Sequence, residues 1–434
     1  AVRLRPSTVV GLLAAVLTVA VAVPILRLHT PPPTDRSDAE IVADAVPRLR
    51  FLRTALDGGA AERMQDLFPE GYFLMHALYG LSWVDVGLRV NRDDPRRQTA
   101  LTEARAALRA MDGPAGRQVF DASLDPPYGI FHSGWTAWLH GGVLRLAGGP
   151  TGDRTLAAAL RTRADRIAAA LARQPTPFLA AYPNQAWPCD TVVAVAALRL
   201  ADKALGTRTY QPTVDRWVRA ARARLDPETG LLPHRADPAS GRPVEGARAT
   251  SQVLLLRFLY DVDPGWATEA WRTARTELAS TVPGGPGVRE HPRGIDRGGD
   301  VDSGPLILGL SASASTVALG TATVLGDRTT AAALAGLAET VGAPVSWLDT
   351  KRYAGGVLPI GDAFLAWSLT ARPWVSPTLK PTERPWQGAP WWWRVPWYAA
   401  AALLLAPVWV LTWGLGLGCG RSRSRSRGRS GVRR

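Results

Sequence analysis

Cysteine is almost absent from this chain of 434 residues, which holds only Cys189 and Cys419. A disulfide framework is thereby excluded as the source of its stability. HExxH, CxxC and GxSxG spacings are missing as well, so neither zinc proteolysis nor serine-hydrolase chemistry of the α/β kind has support. Alternating Val, Ile and Thr runs bounded by turns are nearly lacking, which argues against a sheet-based fold. A short repeat of the tetratricopeptide kind is not visible either, and that weighs against an open solenoid. No pattern calls for a metal or a cofactor, and none is expected.

What the chain does have is a long apolar run toward each end. Residues 8–26 read TVVGLLAAVLTVAVAVPIL and residues 397–417 read WYAAAALLLAPVWVLTWGLGL; about 20 apolar residues of helix cross a hydrocarbon layer of roughly 30 Å. Trp392, Trp393, Trp397 and Tyr398 stand at one edge of the second run, where amphipathic rings favour the headgroup layer. Arg3 and Arg5 precede the first run, and seven arginines between Arg421 and Arg434 follow the second, supplying half of the formal charge of +14. Basic flanks stay on the cytoplasmic side. The expectation is a two-pass cell-membrane protein with both termini cytoplasmic, Cys189 outside and Cys419 inside. The basic tail reads as a stop-transfer and anionic-lipid contact, so the partner is a lipid bilayer and not a nucleic acid. A cleaved signal peptide is the alternative for the first run, whose length favours an uncleaved anchor.

Composition divides the chain into a cytoplasmic N-terminus at 1–7, a span at 8–28 and a proline-rich linker at 29–37. An extracytoplasmic domain follows at 38–372. Residues 373–396 hold six prolines and five tryptophans and are expected to lie along the outer headgroups before a second span at 397–418 and an Arg/Ser-rich cytoplasmic tail at 419–434. Within the domain, apolar spacing predicts helices near 38–56, 71–90, 96–111, 131–147, 153–173, 188–205, 210–225, 246–260, 265–281, 304–325, 329–341 and 361–371. Asp263-Pro264 and Gly326-Asp327 mark helix boundaries. A dozen helices joined by alternating short and long loops predict an all-α fold, an (α/α)6 toroid or barrel whose long loops rim a central pocket. An irregular helical bundle is the alternative.

Four segments carry candidate chemistry. GYFLMHALYGLSWVD (71–85) holds Tyr72, His76 and Tyr79 on an aromatic helix; a histidine there is either a base tuned near pH 7 or a satisfied core residue. PYGIFHSGWTAWLHGG (127–142) holds His132, Trp135 and His140. YPNQAWPCD (182–190) brings Tyr182, Asn184 and Cys189 to the start of an apolar helix. Asp190 or Thr191 would cap that helix, and a thiol beside a helix N-terminus has its pKa lowered by the free N–H groups. In RGIDRGGDVDSGPLILGLSASAS (293–315), Asp300 and Asp302 stand two apart, as a pair sharing a proton for acid–base work requires. They equally suit a helix cap, and D-x-D-x-G matches part of a calcium loop whose terminal Glu is missing.

With these segments in view, the chain resembles the linalool dehydratase-isomerase family over about residues 71–372. GYFLMHALYGLSWVD looks like the family's Tyr-containing helix, and YPNQAWPCD like its Asn-containing, Cys-ended loop. LDPETGLLPHRADPASGRPVEG and DVDSG follow in the family's order, and KRYAGGVLPIGDAFLAW resembles its closing segment. The resemblance implies an α/α barrel and acid–base chemistry without a cofactor, with Cys189 in an active-site cysteine position and Tyr72 in that of a pocket tyrosine. The chain departs from the pattern at Ala180 and Trp135, where the family has a second cysteine and a histidine. It has no clear match to the family's N-terminal aspartate, and it departs again at Arg248 and Gln252, in place of two pocket aromatics. Arg and Gln in a cleft need polar partners, which implies a more polar substrate.

Three functions follow. The first is a lyase or isomerase moving a hydroxyl or double bond on an isoprenoid-type alcohol, with Cys189, Tyr72, Asp300 and Asp302 catalytic. His76, Tyr79, His132, Trp135, Tyr182, Asn184, Arg248 and Gln252 would line its site. The second is a glycan-active toroid, hydrolase or lyase, using Asp300 and Asp302, or one of them with Glu245, on envelope polysaccharide. The third is a non-catalytic protein binding an envelope ligand. In each case the expected partner beside the bilayer is a hydrophobic or lipid-linked small molecule or an envelope glycan.

Overall fold

A computed structural model describes residues 6–379 and 389–425, with side chains placed at 8–379 and 389–413. Arg3, Arg5, residues 380–388 of the Pro/Trp-rich segment, the Cys419 side chain and the tail from 426 lie outside the described residues. The helices in chain order are α1 (Pro6–Arg27), α2 (Asp38–Asp57), α3 (Ala60–Leu67), α4 (Gly71–Gly87), α5 (Pro95–Asp112), α6 (Pro114–Arg117), α7 (Gly129–Leu146), α8 (Arg154–Arg173), α9 (Pro188–Leu205), α10 (Gln211–Arg222), α11 (Ala249–Val262), α12 (Pro264–Leu278), α13 (Ala312–Val324), α14 (Arg328–Val341), α15 (Pro359–Leu369) and α16 (Val395–Arg425). Every helix read from apolar spacing is present, several of them shorter by a few residues and the one expected from 304 starting only at Ala312. The run expected to start a helix at 304 instead forms two short strands, because Gly304, Leu308 and Gly309 all take positive φ, which breaks helical geometry.

Six helices close a ring: α4 packs on α7, α7 on α9, α9 on α11, α11 on α13, α13 on α15, and α15 returns to α4. Outside it stand α2, α5, α8, α10, α12 and α14, so the fold is an (α/α)6 toroid. Burial explains which helix goes where. The inner α4, α7, α9 and α11 are buried nearly all round, whereas α5, α8 and α10 bury one apolar face and turn arginines outward. Small residues let the inner helices approach closely; a Cβ on Gly134 of α7 would stand 3.0 Å from Ala194 of α9.

Each inner helix follows an outer one, so all six run the same way and their N-termini gather at one rim. The long connections lie there. They carry β1 (Arg235–Ala236) paired with β2 (Pro243–Glu245), and a sheet in the order β3-β4-β6-β5 built from Ala279–Val282, Gly285–Arg289, Leu306–Ile307 and Leu310–Ser311 for β3 to β6. A hairpin of β7 (Val345–Trp347) and β8 (Thr350–Arg352) completes them.

Aromatic side chains fill the axis. Trp135, Phe258 and Trp367 come from alternate inner helices, with ring centroids 5.4 to 6.0 Å apart. Beneath them the guanidinium of Arg257 sits 3.6 Å from the Trp367 ring centroid and pairs with the buried Asp85 at 3.4 Å. The far end is sealed by residues 371–377. Trp374 stacks on Trp138 at 4.9 Å and donates its indole N–H to Asp85 at 2.7 Å, while Asp261 accepts the backbone N–H groups of Trp374, Val375 and Ser376. This corrects the reading of residues 373–396 as wholly juxtamembrane: its first residues are part of the packed domain, since Trp374 has a stacking and a hydrogen-bond partner waiting inside.

The terminal helices α1 and α16 are long and apolar enough to cross a membrane. They run antiparallel, joined by His29 to Tyr398 at 2.8 Å and Trp409 to Thr18 at 3.1 Å.

Candidate active site

The rim of inner-helix N-termini holds the titratable side chains that the axis excludes. Glu70 immediately precedes α4 and accepts a very short hydrogen bond from the Tyr182 hydroxyl. Trp187 is the N-cap of α9 and Pro188 its first residue, which puts Cys189 and Asp190 in the first turn. The expected cap by Asp190 or Thr191 does not form; Asp190 points to the thiol, with Sγ to Oδ1 at 3.6 Å. From the connection before α13 come Asp300 and Asp302, and from the start of α11 Arg248 and Ser251.

Three carboxyl groups from three connections act on one another here. Burial first, then the charges of Glu70 and Asp302, push Asp190 well above the ordinary carboxyl range. Burial, then Asp300 and Glu70, push Asp302 up to about 6, although its surface opens to the mouth. Asp300 goes the other way. Burial would raise it, but the Arg248 hydrogen bond and charge and the N–H groups of Ser303 and Asp302 hold it far below its usual value. The two aspartates thus differ in proton affinity: burial raises Asp302, and Asp300 is held low by Arg248, which binds Asp300 at 2.7 Å, Glu290 at 2.8 Å and Glu245 at 3.2 Å.

Cys189 departs from expectation. It is 6 % exposed, and burial followed by the Asp190 and Asp302 carboxyls pushes its thiol well above the ordinary range, against the lowering expected from the helix end. A neutral thiol suits this site because a thiolate there would face acidic neighbours. The Ser251 hydroxyl opposes that rise, and it meets His234 Nδ1. His234 is held down to about 4 by burial and then by Arg248, so it stays neutral near pH 7.

Other residues singled out in the sequence lie elsewhere. Tyr72, His76 and Tyr79 turn toward α2, α3 and α5: the Tyr72 and His76 rings meet at 4.7 Å, burial lowers His76 to about 4 with Glu62 and Arg53 nearby, and the Tyr79 hydroxyl donates to Glu103 at 2.8 Å. His132 is 2 % exposed, bonds the Met111 carbonyl at 3.2 Å and lies against Phe73 and Phe120. Trp135 belongs to the axial plug. Gln252, fully buried, donates to the Leu232 carbonyl at 2.6 Å, and Asn184 forms an exposed left-handed turn. Tyr182, Arg248, Asp300, Asp302 and Cys189 do converge. Sequence reasoning missed Glu70, Asp190 as an acid, Ser251, His234 and Glu290. Only two had a local signal: Glu70 stands just ahead of the aromatic helix, and Asp190 beside the singled-out cysteine.

Among the described residues no group of His, Cys, Asp or Glu is disposed to hold a metal ion. A cavity of about 1110 Å³ lies outside the ring between α12, α14 and β3–β4, and no carboxylate is among its described lining residues.

No family model matches the chain, and no curated protein matches it. Among solved structures, a selenomethionine derivative of a GH76 alpha-mannanase from Bacteroides thetaiotaomicron is similar with a TM-score of 0.41 and 10% identity, covering 68% of this chain and 84% of that one. The resemblance to the linalool dehydratase-isomerase family therefore rests on its motifs alone.

Proposed function

We propose that the protein is a glycan-active α/α-toroid enzyme, a hydrolase or lyase acting on cell-envelope polysaccharide outside the membrane that α1 and α16 cross, with both termini cytoplasmic. The observation that carries this reading is the convergence of Glu70, Asp190 and Asp302 on one mouth, where burial and the neighbouring carboxylates raise the proton affinity of Asp190 and Asp302. Cleaving a glycosidic bond takes one carboxyl that protonates the leaving oxygen and a second that activates water, attacks the sugar or removes a proton. Asp302, raised to about 6 and open to the mouth, gives the proton. Glu70, oriented by the Tyr182 hydroxyl, takes the second part. Asp190 remains protonated behind them, and Arg248 keeps Asp300 negative so that Asp302 holds its proton. The rings of Tyr182 and Trp187, 5.7 Å apart at the mouth, offer faces on which a sugar can stack.

Turnover of envelope polysaccharide by the full chain is expected to fall by about 10²–10⁴-fold in Asp302→Asn and in Glu70→Gln, and to persist in Cys189→Ala. Wild-type turnover by Asp302→Asn, or a wild-type protein that binds no such polymer, ends this reading. Binding without turnover by the wild type would leave a non-catalytic envelope-binding protein.

A second reading retains the lyase or isomerase acting on an isoprenoid alcohol. The buried thiol of Cys189 on Asp190, with the Ser251–His234 hydrogen bond beside it, favours it. Activity on such an alcohol that disappears in Cys189→Ala would decide for it.

A further inference from the structure

Apolar side chains on the surface of the toroid are confined to one end. Among the described residues from 30 to 379, every exposed large hydrophobic residue lies on the rim connections or at the rim end of α14. Val301, Ile307 and Leu308 precede α13, Trp347 and Leu348 form the tip of the β7–β8 hairpin, and Val357 precedes α15; Leu348 is 90 % exposed. The loops of the opposite end carry exposed Arg92, Asp93, Arg96 and Arg208 instead. An apolar patch of this kind needs an occupant.

The terminal helices identify it. The carbonyl of Pro24 in α1 accepts the Thr340 hydroxyl near the rim end of α14, and Arg27 donates to the Pro344 carbonyl at 2.8 Å. Leu28 lies against Gly336, one turn earlier in α14, so α1 runs antiparallel to α14 and continues past the rim. Helix α16 starts at the same level: the Trp397 indole donates to the Gly284 carbonyl at 2.7 Å, and Gly284 N–H to the Trp393 carbonyl, at the turn of the β3–β4 hairpin. Both spans therefore leave from the end of the toroid that carries Glu70, Asp190 and Asp302. The exposed apolar residues lie on the connections before α11, α13, α15 and α4, most of them on those before α13 and α15 where the spans attach, while those before α7 and α9 have none.

We infer that the catalytic mouth faces the bilayer, with the part of the rim around Ile307, Leu308, Trp347 and Leu348 seated in its interfacial layer, and that the substrate is a glycan carried on a lipid anchor in that same leaflet. The substrate class rests on the glycan reading above; the orientation does not. The apolar part of the rim meets the lipid, and the polar third before α7 and α9 leaves the mouth open for the sugar chain. Confinement of enzyme and substrate to one surface raises the effective concentration of the headgroup at the site.

Two measurements on the full chain in phosphatidylglycerol-containing nanodiscs test this. With Cys419→Ser as background, an environment-sensitive fluorophore on Leu348→Cys is expected to be blue-shifted and quenched by doxyl-labelled lipid, whereas the same fluorophore on Arg92→Cys is not. Equal quenching at both positions, or stronger quenching at 92, overturns the orientation. Turnover of a lipid-anchored glycan is expected to exceed that of the same glycan free in solution by about 10²-fold, with Ile307→Asp/Leu308→Asp losing that advantage and keeping soluble turnover. Equal use of the two forms overturns the lipid-anchored substrate. If neither form is turned over, the glycan reading fails, and the quenching result still decides the orientation.

Discussion

Asp300 and Asp302 stand two residues apart and differ in proton affinity: Arg248 binds the first and holds it low, while burial, then the charges of Asp300 and Glu70, raise the second to about 6. That asymmetry sets a pH dependence. If Asp302 gives the proton, activity declines as pH rises through about 6. Asp300→Asn removes the negative charge that helps to raise Asp302, so this limb is expected to move to lower pH, which a pH–rate profile reads directly. The stability effect has a definite sign. Because the folded value of about 6 lies above the ordinary 3.8, the folded protein binds more protons in that window, and the contribution present below 3.8 is lost as pH rises toward 6. Cys189 makes a separate prediction: buried and kept neutral by Asp190 and Asp302, it is expected to resist iodoacetamide at pH 7 in the folded protein and to react on unfolding, as mass spectrometry can follow.

At the scale of elements, inner and outer helices are told apart by their sequences, because a helix apolar on every face has to be surrounded and one with an arginine face cannot be. That is why the dozen helical segments were legible. The strand pairs on the rim were not, since pieces as short as Leu306–Ile307 and Leu310–Ser311 leave no alternating pattern and depend on partners brought from elsewhere. The strap at 371–377 escaped for a related reason: proline density marks it as non-helical, but nothing local tells that Trp374 will find Trp138 and Asp85. Trp374→Ala is expected to cost about 3–5 kcal/mol, measured as a shift in the denaturation midpoint of the detergent-solubilised chain. A smaller loss than that of an exposed tryptophan such as Trp347 would contradict the sealing role.

At the scale of the whole molecule, the antiparallel pairing of α1 and α16 leaves the outer ends of both helices on the same side. Reporter fusions to either end of the chain are expected to give the same cytoplasmic signal, and opposite signals would refute the two-pass arrangement. Apolar runs, their basic flanks and the helical period were decided by the sequence itself, because each is a property of consecutive residues and of how they partition between water and hydrocarbon. Local reading also reached Cys189, Asp300, Asp302 and Tyr182, which stand in or beside loops conspicuous for their polarity, and the family resemblance reached Arg248. Only the tertiary structure decided that Glu70 and Asp190 join Asp302, that Tyr72, His76 and His132 do not, and which end of the ring holds the spans. Those outcomes depend on closing six hairpins into a ring, which brings together residues more than 200 positions apart and sets the direction in which each side chain points.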